Sequence, residues 1–291
     1  MIPLAQIIQW RNTAPWVDNM QVEQDLILSR LLVEIFSDPP LNKELAFRGG
    51  TALHKLFFTP AARYSEDIDL VRTSTGPIKK IVDMLHDRLD PWLGKPKTQS
   101  TSNSFKLNYY FNSEGPVSTK LRIKIEINTR ECFACFDRVQ KQFDVQSDWF
   151  TGTAHINTYQ FSELIATKLR ALYQRKKGRD AFDLWLALKH QAFDVSRIIE
   201  AFEFYMEKEG NIIRRDDFIK NIEEKLQHRS FTDDISPLLS PKLKKTHSSY
   251  VVTMDGDYVV THDGSRVITN GWNLHDAVKE IKEKILDFLP I

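Results

Sequence analysis

Apolar residues along this chain switch between two periods, and the switches mark its elements. From Val22 to Phe36 they recur at Leu26, Ile27, Leu31, Leu32, Ile35 and Phe36, a helical spacing that Asp38-Pro39-Pro40 then stops. Residues 45–58 read as a short strand, a turn at Gly49-Gly50, and a helix with Ala52, Leu53, Leu56 and Phe57 on its packed side. Arg63 to Arg72 is a strand, and Ile78 to Trp92 a second long helix. Gly94 to Ser104 reads as a polar loop. Phe105–Phe111 and Leu121–Asn128 alternate with period two and are joined by Asn112-Ser113-Glu114-Gly115-Pro116, a hairpin connection. Helix dominates from Phe161 to about Gln227. The tail returns to short strands, Tyr250–Thr253, Tyr258–Thr261 and Arg266–Thr269, around Asp-Gly turns, before a closing helix from Leu274 to Phe288. The pattern predicts an α/β (α+β) sheet domain over residues 1–150, a helical domain over 151–235, and a small β-hairpin plus helix segment over 236–291.

With 291 residues, of which 42% are hydrophobic and 27% charged, the chain can bury one large core or two modest ones. Its net charge of +1 gives no global attraction to a polyanion, so any such site must come from local clustering. No apolar run is long enough to span a membrane, and Met1 to Trp16 lacks the pattern of a signal peptide, which points to the cytoplasm. Cys132 and Cys135 form a lone C-x-x-C with no second pair to complete a zinc site, so they are expected to pack as thiols. The eight histidines are scattered without a nucleophile–base pattern.

Candidate chemistry concentrates in two stretches. Arg48-Gly49-Gly50-Thr51-Ala52-Leu53 places glycines just before a helix, where backbone N–H groups can approach an anion. Ser65-Glu66-Asp67-Ile68-Asp69-Leu70 follows, with Asp67 and Asp69 on one strand face and Ile68 and Leu70 on the other. Two hard oxygen ligands near a phosphate-gripping turn suit Mg²⁺ chemistry on nucleotides. In Leu121–Asn128, Glu126 shares a face with Arg122 and Lys124. It is a third carboxylate for the metal if this strand lies beside Asp67 and Asp69, and otherwise a solvent-face partner of those cations. Six of the thirteen residues from Thr167 to Arg179 are basic. On a continuous helix Lys168, Arg175 and Arg179 would fall within roughly 40° of one another, an alignment that Gly178 can break. His54 and Tyr64 read first as packing residues. Arg63 and Arg72 flank the acidic strand and either hold phosphate or balance its carboxylates.

Three stretches together resemble the successive motifs of the AbiEii/AbiGii-type nucleotidyltransferase toxins, MenT-like enzymes included. They are Phe47-Arg48-Gly49-Gly50-Thr51-Ala52-Leu53, Arg63 to Leu70, and Lys168-Leu169-Arg170-Ala171 continuing to Arg175 and Arg179-Asp180-Ala181-Phe182-Asp183-Leu184. The resemblance spans about residues 20 to 190 and departs at Arg48, where the family often has Lys. It implies a polymerase-beta-like nucleotidyltransferase fold with an appended helical domain, in the toxin half of a bacterial toxin–antitoxin or abortive-infection pair. It further implies that Asp67, Asp69 and Glu126 hold Mg²⁺ (or Mn²⁺), that Gly49, Gly50, Thr51 and Ser65 contact the NTP, and that Lys168 and Arg175 serve its phosphates. Asp180 matches a functional aspartate of the family, although by charge alone it could simply orient Lys168 or Arg175. The expected reaction moves NMP from an NTP to an acceptor, foremost the 3′ end of tRNA, with a cognate antitoxin as partner and no membrane. Two alternatives stay open: nucleotidylation of a protein hydroxyl, and a catalytically silent protein that sequesters nucleotide.

Overall fold

A computed structural model describes residues 2–16, 18–59, 61–114, 118–239, 260–261 and 272–291. In chain order its elements are α1 (Leu4–Trp10), α2 (Asn19–Phe36), α3 (Pro39–Glu44), β1 (Leu45–Arg48), α4 (Gly49–Leu56), β2 (Phe58–Thr59), β3 (Asp67–Arg72), α5 (Lys79–Leu93), β4 (Lys97–Ser100), β5 (Ser104–Asn112), β6 (Lys120–Asn128), β7 (Val139–Gln146) and β8 (Thr151–Thr158). Then come α6 (Phe161–Gln174), α7 (Gly178–Ala187), α8 (Val195–Lys208), α9 (Arg215–Leu226), α10 (Arg229–Thr232), β9 (Val260–Thr261) and α11 (Leu274–Lys284), with a 3₁₀ turn at Leu286–Phe288. The chain divides into two compact units: residues 1–56, 64–134 and 138–159, and residues 57–63, 135–137 and 160–291.

The first unit is a seven-stranded mixed sheet in the order β4-β5-β6-β3-β1-β8-β7. β3 and β6 run parallel, as do β1 and β8; the other neighbours are antiparallel. Alternation decides which face is covered. Leu107, Tyr109, Ile123, Ile125, Ile127, Ile68 and Leu70 are buried, whereas the residues between them are open or half-buried. α2, capped by Asp18 accepting from the Met20 N–H at 2.8 Å, is buried along most of its length. Asp38-Pro39-Pro40 ends α2 and also opens α3, because the Asp38 carboxylate caps Leu41 N–H at 3.0 Å and proline suits a first turn.

Two expectations change. The stretch 94–104, expected as loop, contains β4, which pairs with β5 as an edge strand exposed at all four positions. The hairpin β7–β8 runs across residue 150, so the sheet unit extends to Tyr159. Among the tail strands only Val260–Thr261 lies within the described residues, pairing with β2; the others lie outside them.

The second unit is helical, built on α6 to α9 and α11. Phe57 and Phe58 pack on Phe161 with ring centroids 5.5 and 6.1 Å apart, and His190 stacks on Phe161 at 4.1 Å. Glu163, fully buried, accepts from the N–H groups of Cys135 (2.7 Å) and Phe136 (3.1 Å) and from Tyr205 Oη (2.7 Å), tying a three-residue excursion of the chain to α6. Both cysteines are free and half-buried, and burial pushes the Cys135 thiol up to about 11. Among the described residues no helix is long and apolar enough to cross a membrane.

Candidate active site

β1 and β3 pair with Arg48 opposite Asp69, so the chain leaves β1 beside the acidic strand. Gly49 turns there with φ of +84°, a left-handed conformation that favours glycine. A Cβ at this position would run into Asp69 Oδ2. Glycine thus lets the first turn of α4 stand against a carboxylate, and the N–H groups of such a turn lack partners within the helix. Gly50 and Thr51 continue that turn, buried. Thr51 Oγ1 donates to the Asp67 carbonyl at 2.5 Å and lies 2.7 Å from Ser65 Oγ. A hydroxyl carries one proton, so Ser65 donates in that pair and both side chains fasten α4 to the start of β3.

β6 lies parallel to β3 with Lys124 opposite Asp67 and Glu126 opposite Asp69. The three carboxylates therefore share one face of neighbouring strands. Lys124 Nζ bridges two of them, 3.2 Å from Asp67 Oδ2 and 2.9 Å from Glu126 Oε2, while Lys106 Nζ stands 3.2 Å from Glu126 Oε1. Burial raises the pKa of Asp67 and outweighs the pull of Lys124. Glu126 goes the other way: burial opposes ionisation, but hydrogen bonding and charge from Lys124, with Ser104 and Lys106, hold its pKa below the usual value.

This donor set suits a divalent cation in part. Asp67 Oδ1 is buried and accepts no hydrogen bond, the unsatisfied acceptor that a cation would complete. Among the described residues, however, no three His, Cys, Asp or Glu side chains converge to hold one ion, because Glu126 turns to Lys124 and Lys106. Asp67 and Asp69 fit a hard cation; Glu126 shares their face but is engaged by lysines.

In the second unit the basic run breaks. α6 ends at Gln174, Arg175 is extended, and α7 begins at Gly178, so a shared helix face for Lys168, Arg175 and Arg179 is not formed. Gly178 is required there, since a Cβ would strike the Phe231 carbonyl. Arg179 pairs with Asp234 at 2.8 and 2.9 Å instead. Lys168, 5% exposed at its side chain, lies 3.1 Å from Asp180 Oδ1 and 2.8 Å from Asp183 Oδ2. Arg175 grips Asp180 with two bonds of 2.7 and 2.8 Å, and Arg63 grips Asp183 with two of 2.7 Å. Burial works against ionising Asp180, yet Lys168 and Arg175 hold its pKa below the ordinary value.

Some participants carried only faint sequence signals. Asp183 follows Asp180 by three positions on α7, a spacing that places both on one side of a helix. Lys124 precedes Glu126 by two on β6 and so shares its face. Arg63 balances the carboxylate of Asp183, and Arg72 donates to the Gly76 carbonyl. His54 is buried, and Tyr64 packs edge-on against Trp16 at 5.7 Å.

A mixed sheet that sets two strand carboxylates against a glycine turn, with a helical unit appended, defines a nucleotidyltransferase. The chain belongs to the AbiEii nucleotidyl transferase toxins of type IV toxin–antitoxin systems, whose family model matches residues 30–253. MenT4, a nucleotidyltransferase toxin from Mycobacterium tuberculosis, shares the fold: its TM-score is 0.59 at 15% identity over 82% of this chain and 83% of that one. JHP933 from Helicobacter pylori aligns with a TM-score of 0.46 at 15% identity, over 75% of this chain and 85% of its own. None of the curated proteins matches this sequence.

Proposed function

We propose that this toxin transfers NMP from an NTP to the 3′ end of an RNA acceptor, foremost tRNA, and so blocks translation. The observation that carries the reading is the apposition of Gly49 and Asp69: the glycine turn that can take a phosphate meets the strand that carries the carboxylates. Asp67 and Asp69 would hold Mg²⁺, which supplies charge neutralisation at the transferred phosphoryl and acidifies the acceptor hydroxyl. Backbone N–H groups at Gly49, Gly50 and Thr51 cradle phosphate oxygens. Ser65 anchors this turn through Thr51. Glu126 positions Lys124 beside Asp67 and, were that lysine displaced, would be the third carboxylate available to the metal. Arg175, 52% exposed, would serve the NTP phosphates as a cation, with Asp180 orienting it and Lys168 holding Asp180 ionised. A cognate antitoxin is the expected protein partner.

The test incubates the protein with Mg²⁺, each labelled NTP in turn, and total tRNA or cell lysate, beside an Asp67→Asn/Asp69→Asn control. Label on tRNA that disappears in the control is the expected result and names the base. Label on protein would move the acceptor to a side-chain hydroxyl. No label on any macromolecule would favour a sequestering protein.

A further inference from the structure

The face that carries Asp67, Asp69 and Glu126 continues across β6, β5 and β4. Directly paired residues share a face, so Arg122 and Lys120 on β6 lie on it with Tyr110 and Asn108 on β5 and Lys97 on β4. The alternate residues Ile123, Ile125, Leu107 and Tyr109 are buried on the other side, which leaves this face open. Tyr110 is one of the few large hydrophobic side chains exposed to solvent among the described residues, at 37%. Cations flank its ring: Lys120 Nζ is 4.9 Å and Lys97 Nζ 5.7 Å from the centroid. Across β4, β5 and β6 there are five basic residues and one acid, Glu126, in a chain whose net charge is only +1.

An aromatic ring between cations on an open sheet suits single-stranded nucleic acid, because a base can stack on the ring while phosphates meet the cations. Protein partners seldom favour a lysine-dominated patch. Strands about 4.8 Å apart rising about 3.3 Å per residue put Tyr110 about 12–16 Å from the carboxylates, the span of a few nucleotides. We infer that the open face of β4, β5 and β6 is the docking platform for the single-stranded end of the RNA acceptor. One base stacks on Tyr110, and Lys97, Lys120 and Arg122 lead the backbone toward Asp67 and Asp69. This rests on the RNA-acceptor reading above and adds to it where the acceptor lies.

The experiment measures binding of a fluorescein-labelled single-stranded oligoribonucleotide by anisotropy over a range of salt concentrations. It uses full-length protein carrying Asp67→Asn/Asp69→Asn without metal, so that affinity is read apart from chemistry. Tyr110→Ala is expected to weaken binding about tenfold and Tyr110→Phe to restore it. Lys97→Ala/Lys120→Ala should flatten the slope of log affinity against log salt by about 1.4, for two lost phosphate contacts. Melting temperatures of the variants report whether the fold is kept. Absence of RNA binding, or affinity and slope unchanged in folded variants, would overturn the platform. So would Tyr110-dependent crosslinking to protein and not to RNA. Transfer to RNA with KM insensitive to Tyr110→Ala would sink the platform alone, whereas Tyr110-dependent binding without transfer would sink the catalytic reading alone.

Discussion

The carboxylate face depends on Gly49, which leaves room for Asp69, and on Lys124, which bridges Asp67 and Glu126. Gly49→Ala would force a left-handed backbone on a residue with a Cβ, at about 1–2 kcal/mol, and drive that Cβ into Asp69 Oδ2. The expected outcome is a protein still folded by circular dichroism, with a lower melting temperature and loss of nucleotidyl transfer. Wild-type transfer rates in this variant would show that α4 need not approach β3 so closely. Lys124 at present screens Asp67 and Glu126 from each other. Lys124→Met should leave the carboxylates repelling, so the variant melts earlier without metal and gains more from Mg²⁺ than the wild type does. Thermal unfolding with and without Mg²⁺ reads both effects, and equal gains would mean that no cation binds there.

Among the elements, α6 and α7 meet through buried charge. Asp183→Ala would leave Arg63 and Lys168 without their shared carboxylate, a loss expected at about 3–5 kcal/mol. Urea unfolding would check it, and a change under about 1 kcal/mol would show that solvent or Asp180 can satisfy both cations. Strands β5 and β6 were legible because their alternation is clean, and the glycine turn because positive φ has a residue signature. β4 was not, since a strand exposed at every position has no apolar rhythm to read. The pairing of Glu126 with Lys124 was legible as a spacing of two on one strand, whereas its pairing with Lys106 was not, because contacts across strands are set by register. Arg63 and Asp183 lie 120 positions apart, and no local pattern joins residues at that distance.

For the chain as a unit of stability, Lys225 sets a pH dependence. Its ammonium donates to the carbonyls of Leu172 and Tyr173 at the end of α6, and burial pushes its pKa down to about 8 against the pull of Asp180. The unfolded chain keeps that proton up to about pH 10.4. Between these values the unfolded state binds more protons, so Lys225 should make stability rise with pH across that window and should be a full burden below it. Lys225→Met is expected to abolish this part of the rise, read as the difference between variant and wild-type urea midpoints on either side of the window. Parallel profiles would show that the two carbonyls keep the lysine charged.

The excursion at Phe57–Arg63 bears on how the protein is made. Those residues belong to the second unit but are synthesised about a hundred residues before Gln160, where the rest of that unit begins. At about 5–20 residues per second, Arg63 waits on the order of ten seconds for Asp183 to leave the ribosome. During that interval Phe57 and Phe58 are without Phe161 and His190, an apolar loop open to chaperones or to wrong partners. The Lys168, Asp180 and Arg175 cluster cannot form earlier, so whatever that cluster contributes is withheld from the nascent chain until that segment has emerged.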